Sequence, residues 1–337
     1  MSGPNDLDET SATRDTLGRA LDDLRAEIRA RFPIRAVLGE VAGAAAERDR
    51  GAVAAPGTDW MELFDELRAR VNRLGIRERR GDVDEFGMDP EALRRVRPLL
   101  DLLFDRWWRV DVRGVEHVPA HGGTLLVGNH AGLLPWDGLM VSHAVARALP
   151  ERERVRFLVA DWLITRPFAQ PWLVRVGGVR ACRENAERLI SHGHPVLAFP
   201  EGVKGSAKVF RERYRLKRFG RGGAVRVAIE SRVPLVPVAI VGGEETHPVL
   251  FKVERMARLV GLPFLPVTPT FPWLGPLGLL PLPSKWVIRF GEPIPLQELA
   301  PEAAEDELLV SRLTEELRQR IQAMVDQGVR SRGSPWA

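Results

Sequence analysis

Thr124-Leu125-Leu126-Val127-Gly128-Asn129-His130-Ala131-Gly132-Leu133-Leu134-Pro135-Trp136-Asp137 opens as an apolar run, breaks at a glycine, and ends where a helical pattern begins. A short apolar run closed by a glycine turn fits a buried strand, and the change of period after it fits a helix. Outward from this stretch the same unit recurs. Apolar segments at 155–159, 195–199 and 235–241 alternate with helical segments starting near Asp137, at Glu184 and over 222–229, and a last strand is expected at 286–290. Strands alternating with helices predict an α/β fold, a mixed, largely parallel sheet flanked by helices.

Helical segments bracket this unit. Leu17, Leu21, Leu24 and Ile28 recur at helical spacing, as do Phe64, Leu67, Val71 and Leu74, with a loose stretch rich in alanine and glycine between them. Asp89 followed by Pro90 predicts a capped helix start with Leu93, Val96, Leu100 and Leu103 turned inward. At the other end Leu309, Leu313, Leu317, Ile321 and Val325 share one helix face, with Gly328 as the expected stop. The expected organisation is an N-terminal helical extension over 1–85, a central domain over 86–300 and a C-terminal helix and tail over 301–337.

The chain has 337 residues, 49 basic against 45 acidic, for a net charge of +4, a mild surplus that suits an anionic partner without naming one. Cys182 is its one cysteine. That excludes an internal disulfide and a thiolate zinc cluster and predicts a reducing compartment, the cytoplasm. Residues 1–15 are polar and partly acidic, so no secretory leader is expected. The long uncharged tract at 259–284 carries Pro263, Pro266, Pro269, Pro272, Pro276, Pro281 and Pro283. It cannot form an ordinary transmembrane helix. An extended, polyproline-like path is expected, displaying Phe264, Phe271 and Trp273 over acyl chains or toward a lipid interface, or packing as a loop.

Three turns carry the chemistry. His130, with Asp137 beyond it, stands at a strand's carboxyl end, where ligands bind in open α/β sheets. The pair has the parts of a general base and the carboxylate that orients it; the alternative is a helix cap at Asp137 and a histidine satisfied by its loop. Phe199-Pro200-Glu201-Gly202-Val203-Lys204 ends another strand, and there Glu201 can bind a substrate hydroxyl while Lys204 and backbone N–H groups hold an anion. Gly177-Gly178-Val179-Arg180-Ala181-Cys182-Arg183 ends a third apolar stretch on an arginine suited to phosphate. Cys182, alone in an apolar run, points to packing rather than acyl carriage.

The ordered set of Asn-His with a downstream Asp, Gly-Gly-x-x-x-x-Arg, Phe-Pro-Glu-Gly and Val233-Pro234-Leu235-Val236-Pro237-Val238 resembles the glycerol-3-phosphate and lysophosphatidate acyltransferase superfamily. Within it the chain looks most like the lysophospholipid or diacylglycerol-acyltransferase-like branch. The resemblance implies that His130 deprotonates an acceptor hydroxyl, that Asp137 orients it, and that Arg183, Glu201 and Gly202 shape the acceptor pocket. It implies an acyl-coenzyme A or acyl carrier protein co-substrate, no cofactor and no metal. The family spacing puts the aspartate at position 135, where this chain has proline, so the loop must bulge for Asp137 to reach His130. Val203-Lys204 replaces the usual Thr-Arg after Phe-Pro-Glu-Gly, which makes a neutral mono- or diacylglycerol acceptor credible beside 1-acylglycerol-3-phosphate.

From Lys204 to Arg221 a basic strip adds Lys208, Arg211, Arg213, Arg215, Lys217 and Arg218, interleaved with Phe210, Tyr214 and Phe219. It suits anionic lipid heads, the phosphates of the acyl donor, or plain solvation; nucleic acid lacks any accompanying recognition motif. The expected partners are a glycerolipid acceptor, an acyl thioester and the anionic inner face of the membrane, with the protein peripheral. Two other classes compete: a non-catalytic lipid- or carrier-binding protein, and a thioesterase-like hydrolase in which His130 activates water.

Overall fold

The computed structural model describes residues 83–335 apart from 153, 167–168, 255–256 and 258–261. The helices expected around Leu21 and Leu67 lie outside the described residues. Helix α1 (Pro90–Leu102) starts as its sequence predicts: Asp89 Oδ1 accepts from the backbone N–H groups of Glu91 at 2.9 Å and Ala92 at 3.1 Å, and Pro90 takes the first helical position, where no N–H is needed. It runs into a π-helical turn, Leu103–Trp107. Trp107 and Trp108 after it are fully buried, and their indole N–H groups donate to the carbonyls of Pro281 at 3.1 Å and Leu282 at 3.2 Å.

The sheet has seven strands: β1 (Asp111–Arg113), β2 (Thr124–Gly128), β3 (Arg156–Val159), β4 (Gly178–Arg180), β5 (Pro195–Ala198), β6 (Leu235–Val241) and β9 (Val287–Phe290). Their spatial order is β1-β9-β6-β2-β5-β3-β4. All pairings are parallel except that of β9 with β6, so the sheet is mixed and largely parallel, as expected. Every residue of β2 and β6 is buried, which explains why these strands read as continuous apolar runs rather than alternating ones. α1 and α2 (Trp136–Ala148) pack one face of the sheet. The other face is covered by α5 (Arg183–Ser191), α7 (Gly223–Glu230) and α8 (Glu307–Arg332). The short helices α3 (Asp161–Ile164), α4 (Gln170–Arg175) and α6 (Val203–Ser206) sit in the connections. Parallel register pairs Val127 with Ala198 and Gly128 with Val238, so the turns after β2, β5 and β6 emerge side by side at one edge.

Two expectations are corrected. The tract at 259–284 is not a polyproline ribbon, because backbone pairing claims part of it: β8 (Leu265–Val267) joins β7 (Phe251–Val253) in an antiparallel pair, and a 3₁₀ helix forms at Gly275–Leu279. Phe264 is buried against Leu133 and Ala207 instead of displayed, and Phe271 and Trp273 are half-buried. Among the described residues no helix is long and apolar enough to cross a membrane. Gly328, the expected helix stop, lies inside α8, which ends at Arg332 with Gly333 as its cap. What glycine supplies at 328 is closeness: a Cβ there would sit 3.0 Å from Cγ2 of Val241 on β6. Gly328→Leu is therefore expected to force α8 off the sheet and lower stability by about 1–3 kcal/mol in urea unfolding, despite leucine's better helix propensity.

Candidate active site

His130 stands in the turn after β2 and Asp137 in the first turn of α2. The intervening loop arches away and returns, so that His130 Nδ1 lies 2.6 Å from Asp137 Oδ2. Asp137 is held in turn: Oδ2 accepts from Ala131 N–H at 3.2 Å and Oδ1 from Gly138 N–H at 2.8 Å, with the carboxylate buried. Pro135, not Asp137, occupies the cap position, so the aspartate is left to face the histidine. The Phe199 ring stacks on the imidazole at a centroid distance of 4.9 Å and 24° between planes. A Cβ at Gly205 would come within 2.8 Å of His130 Cβ, so only glycine allows α6 to pass beneath the site. A fixed imidazole whose Nδ1 is engaged by a carboxylate can take a proton at Nε2.

The pair opens onto a cavity of about 410 Å³ that runs between the sheet and helices α5, α7 and α8. Its walls are mostly apolar, among them Leu125, Phe157, Val159, Ala198, Val225 and Leu317, with His130 and Asp137 at the polar end. Gly202, Arg183 and Cys182 also line it. Arg183 is engaged elsewhere, however, by Glu187 at 2.6 Å and Glu230 at 2.6 Å. Lys204 is exposed and is not part of the lining. Among the described residues no cluster of three or more His, Cys, Asp or Glu side chains could hold a metal ion.

Comparison with known proteins gives the family of the chain. Residues 109–241, which carry His130, Asp137, Arg183 and Glu201, match the family described as Acyltransferase. A protein of Mycobacterium tuberculosis described only as uncharacterized is 48% identical over 241 residues, covering 71% of this chain and 67% of its own length. The chain belongs to the acyltransferase family. The "DGAT1/2-independent enzyme synthesizing storage lipids" of Gallus gallus is 26% identical over 220 residues, 65% of this chain and 60% of that protein. Among solved structures, the 1-acyl-sn-glycerophosphate acyltransferase PlsC of Thermotoga maritima is similar at a TM-score of 0.45 and 18% identity, covering 80% of this chain and 90% of that one.

Glu201 is placed differently in this acyltransferase from what its sequence position suggests. It is buried, and both its oxygens are used inside the protein: Oε1 accepts from His130 N–H at 2.9 Å and Oε2 from Lys217 N–H at 2.6 Å. It ties the end of β5 to the turn after β2 instead of offering a free carboxylate to a substrate hydroxyl. Asn129 makes a second tie, its amide donating to and accepting from the backbone of Ile240 on β6, each at 2.8 Å. The asparagine of the Asn-His pair thus replaces a missing rung of the sheet.

The basic strip is divided by the fold. Arg211, Arg215, Arg218 and Arg221 are exposed, and Arg221 lines the cavity. Lys217 pairs with Glu212 at 3.0 Å. Lys208 is buried, its Nζ 3.0 Å from Glu244 and 3.5 Å from Glu201. Burial works against its charge, but the two carboxylates outweigh that and hold the ammonium above the ordinary lysine value. Glu244 also accepts from the backbone N–H of Tyr214 at 3.2 Å, a residue held at a positive φ of 66°. The Tyr214 hydroxyl contacts Glu245, and Arg332 near the end of α8 bonds Glu245 at 2.8 Å. Burial, reinforced by Glu245, pushes the phenol up to about 12. A buried chain of charge therefore links the His130 turn to the last turn of α8, and nothing in the local sequence of Lys208 distinguishes it from its exposed neighbours. Lys208→Met leaves two buried carboxylates facing each other and should cost about 3–5 kcal/mol in urea unfolding, much of it recovered when Glu244→Gln is added.

Proposed function

We propose that this acyltransferase moves a fatty acyl group from a coenzyme A or carrier-protein thioester to a hydroxyl of a glycerolipid, with His130 as general base. The observation that carries this reading is the 2.6 Å contact between His130 Nδ1 and Asp137 at the polar end of an apolar cavity. The carboxylate fixes the tautomer, leaving Nε2 to accept the proton. The acceptor's hydroxyl proton passes to Nε2 as its oxygen bonds to the thioester carbonyl carbon; the C–S bond then breaks and the departing sulfur takes the proton from the imidazolium. No protein nucleophile is needed. The apolar cavity suits an acyl chain, and Arg221 at its wall, with Arg218 exposed on the same strip, suits the phosphate that both kinds of donor carry.

A neutral mono- or diacylglycerol is the acceptor class the site favours over 1-acylglycerol-3-phosphate. Arg183 is committed to two carboxylates, Lys204 lies outside the cavity, and Glu201 is spent on the backbone. The printed name of the Gallus gallus relative, an enzyme synthesizing storage lipids, agrees with this choice.

Purified protein with labelled acyl-coenzyme A and a panel of acceptors, products read by mass, is the test. His130→Ala should lower transfer by roughly 10²- to 10⁴-fold, the range of a lost general base, with the native circular dichroism spectrum retained. Undiminished transfer in that variant sinks the assignment, and free fatty acid as the sole product whatever the acceptor would make the protein a hydrolase. Asp137→Asn should depress kcat by a similar order while leaving KM for the acceptor largely unchanged, because the residue orients His130 and does not bind substrate.

A further inference from the structure

Four of the six large hydrophobic side chains that stand exposed among the described residues fall in one region: Leu250 at 44%, Leu274 at 58%, Leu277 at 68% and Leu280 at 38%. Three of them flank or sit in the 3₁₀ helix Gly275–Leu279. A 3₁₀ helix has three residues per turn, so 274, 277 and 280 stack on one face of it. That face points outward, whereas Gly278 is buried and Leu279 is half-buried.

The segment is pinned from beneath. His247 Nε2 meets the carbonyl of Leu279 at 2.8 Å, Thr270 Oγ1 donates to Gly278 O at 2.8 Å, and the buried Trp107 indole donates to Pro281 O at 3.1 Å. A chain so fixed could turn its leucines inward only by breaking these bonds, so the exposed face is a held display. Clustered exposed apolar side chains in a rigid frame mark a surface that something apolar covers.

Charge and position say what covers it. Between Glu254 and Glu292 the sequence holds no acidic residue, and Lys252, exposed on β7, adjoins Leu250. Val241 on β6 pairs with Val287, so the residues leading into β9 lie at the carboxyl edge of the parallel strands, the edge from which His130 emerges. The β7–β8 pair is fastened to the His130 loop through Phe264 on Leu133. A ridge of leucines set in a stretch of sequence from 255 to 291 that carries lysine and arginine but no carboxylate fits the acyl region and anionic headgroups of a lipid monolayer better than it fits another folded protein.

We infer that the Leu274–Leu277–Leu280 ridge inserts into the membrane and brings the sheet edge bearing His130 to the lipid surface. The choice of lipid over a protein partner rests in part on the glycerolipid acceptor proposed above, yet binding can be read without turnover.

The test is co-sedimentation of the full chain with phosphatidylcholine–phosphatidylglycerol vesicles, comparing wild type with the double variant Leu274→Glu/Leu277→Glu. Both positions are exposed, and circular dichroism and the unfolding midpoint check that the variant folds. Vesicle partitioning is expected to fall about tenfold or more, since two inserting side chains become charged. Acyl transfer to a water-soluble short-chain acceptor should be retained while transfer to a vesicle-borne one falls. Equal partitioning of the two proteins, or no partitioning by wild type, overturns the inference. So does an unchanged partition coefficient accompanied by loss of a dimer in sedimentation velocity, which would assign the ridge to a second copy of the chain. Vesicle binding lost in the variant with no turnover by wild type would uphold the ridge and refute the proposed activity instead.

Discussion

Where β2 ends at Gly128, the backbone leaves the sheet while still buried, and its polar groups must find partners there or the turn cannot exist. Two side chains meet that demand. Asn129 completes the ladder of β6 through Ile240, and Glu201 accepts the N–H of His130. The imidazole is thus placed by atoms one bond away from the sheet and not by a mobile loop. Its ring is fixed from two further directions by Asp137 and Phe199. Glu201 is fixed in its turn by Lys217 N–H and by Lys208, whose charge is balanced by Glu244. The position of the imidazole is set by this succession of buried contacts.

The same packing shapes the chamber beside it. The cavity penetrates between the sheet and the α5, α7 and α8 layer, where its walls are largely apolar but include Arg183, Arg226 and Thr314. Much of that lining is of the kind an acyl chain would match, and it adjoins His130.

The α/β class, five of the seven strands and the capped start of α1 are legible in the sequence, because continuous apolar runs such as Leu235–Val241 and signals such as Asp89-Pro90 are local. β1 and β4 are not, since three residues are too few to show a pattern and their pairing depends on distant partners. The two candidate strand-end turns are legible as turns, but the contact of Asp137 with His130 is a property of the path between them. Lys208 reads as one more charge in a basic run; only the fold brings Glu201 and Glu244 to it from other segments. Gly328 shows the converse: a glycine in a helical pattern looks like an ending, while here it is a place of contact with Val241.

One edge of the sheet has a consequence for how the chain comes into being. β1 sits at the end of the strand order and is paired only to β9, Asp111 against Val287, and the Trp107 indole meets Pro281 across 174 residues. During synthesis, β2 through β6 can assemble as they leave the ribosome. The earlier strand gains its partner in the sheet only when β9 has been made. The edge of the sheet that is last to be completed is therefore built on the first of its strands to be translated.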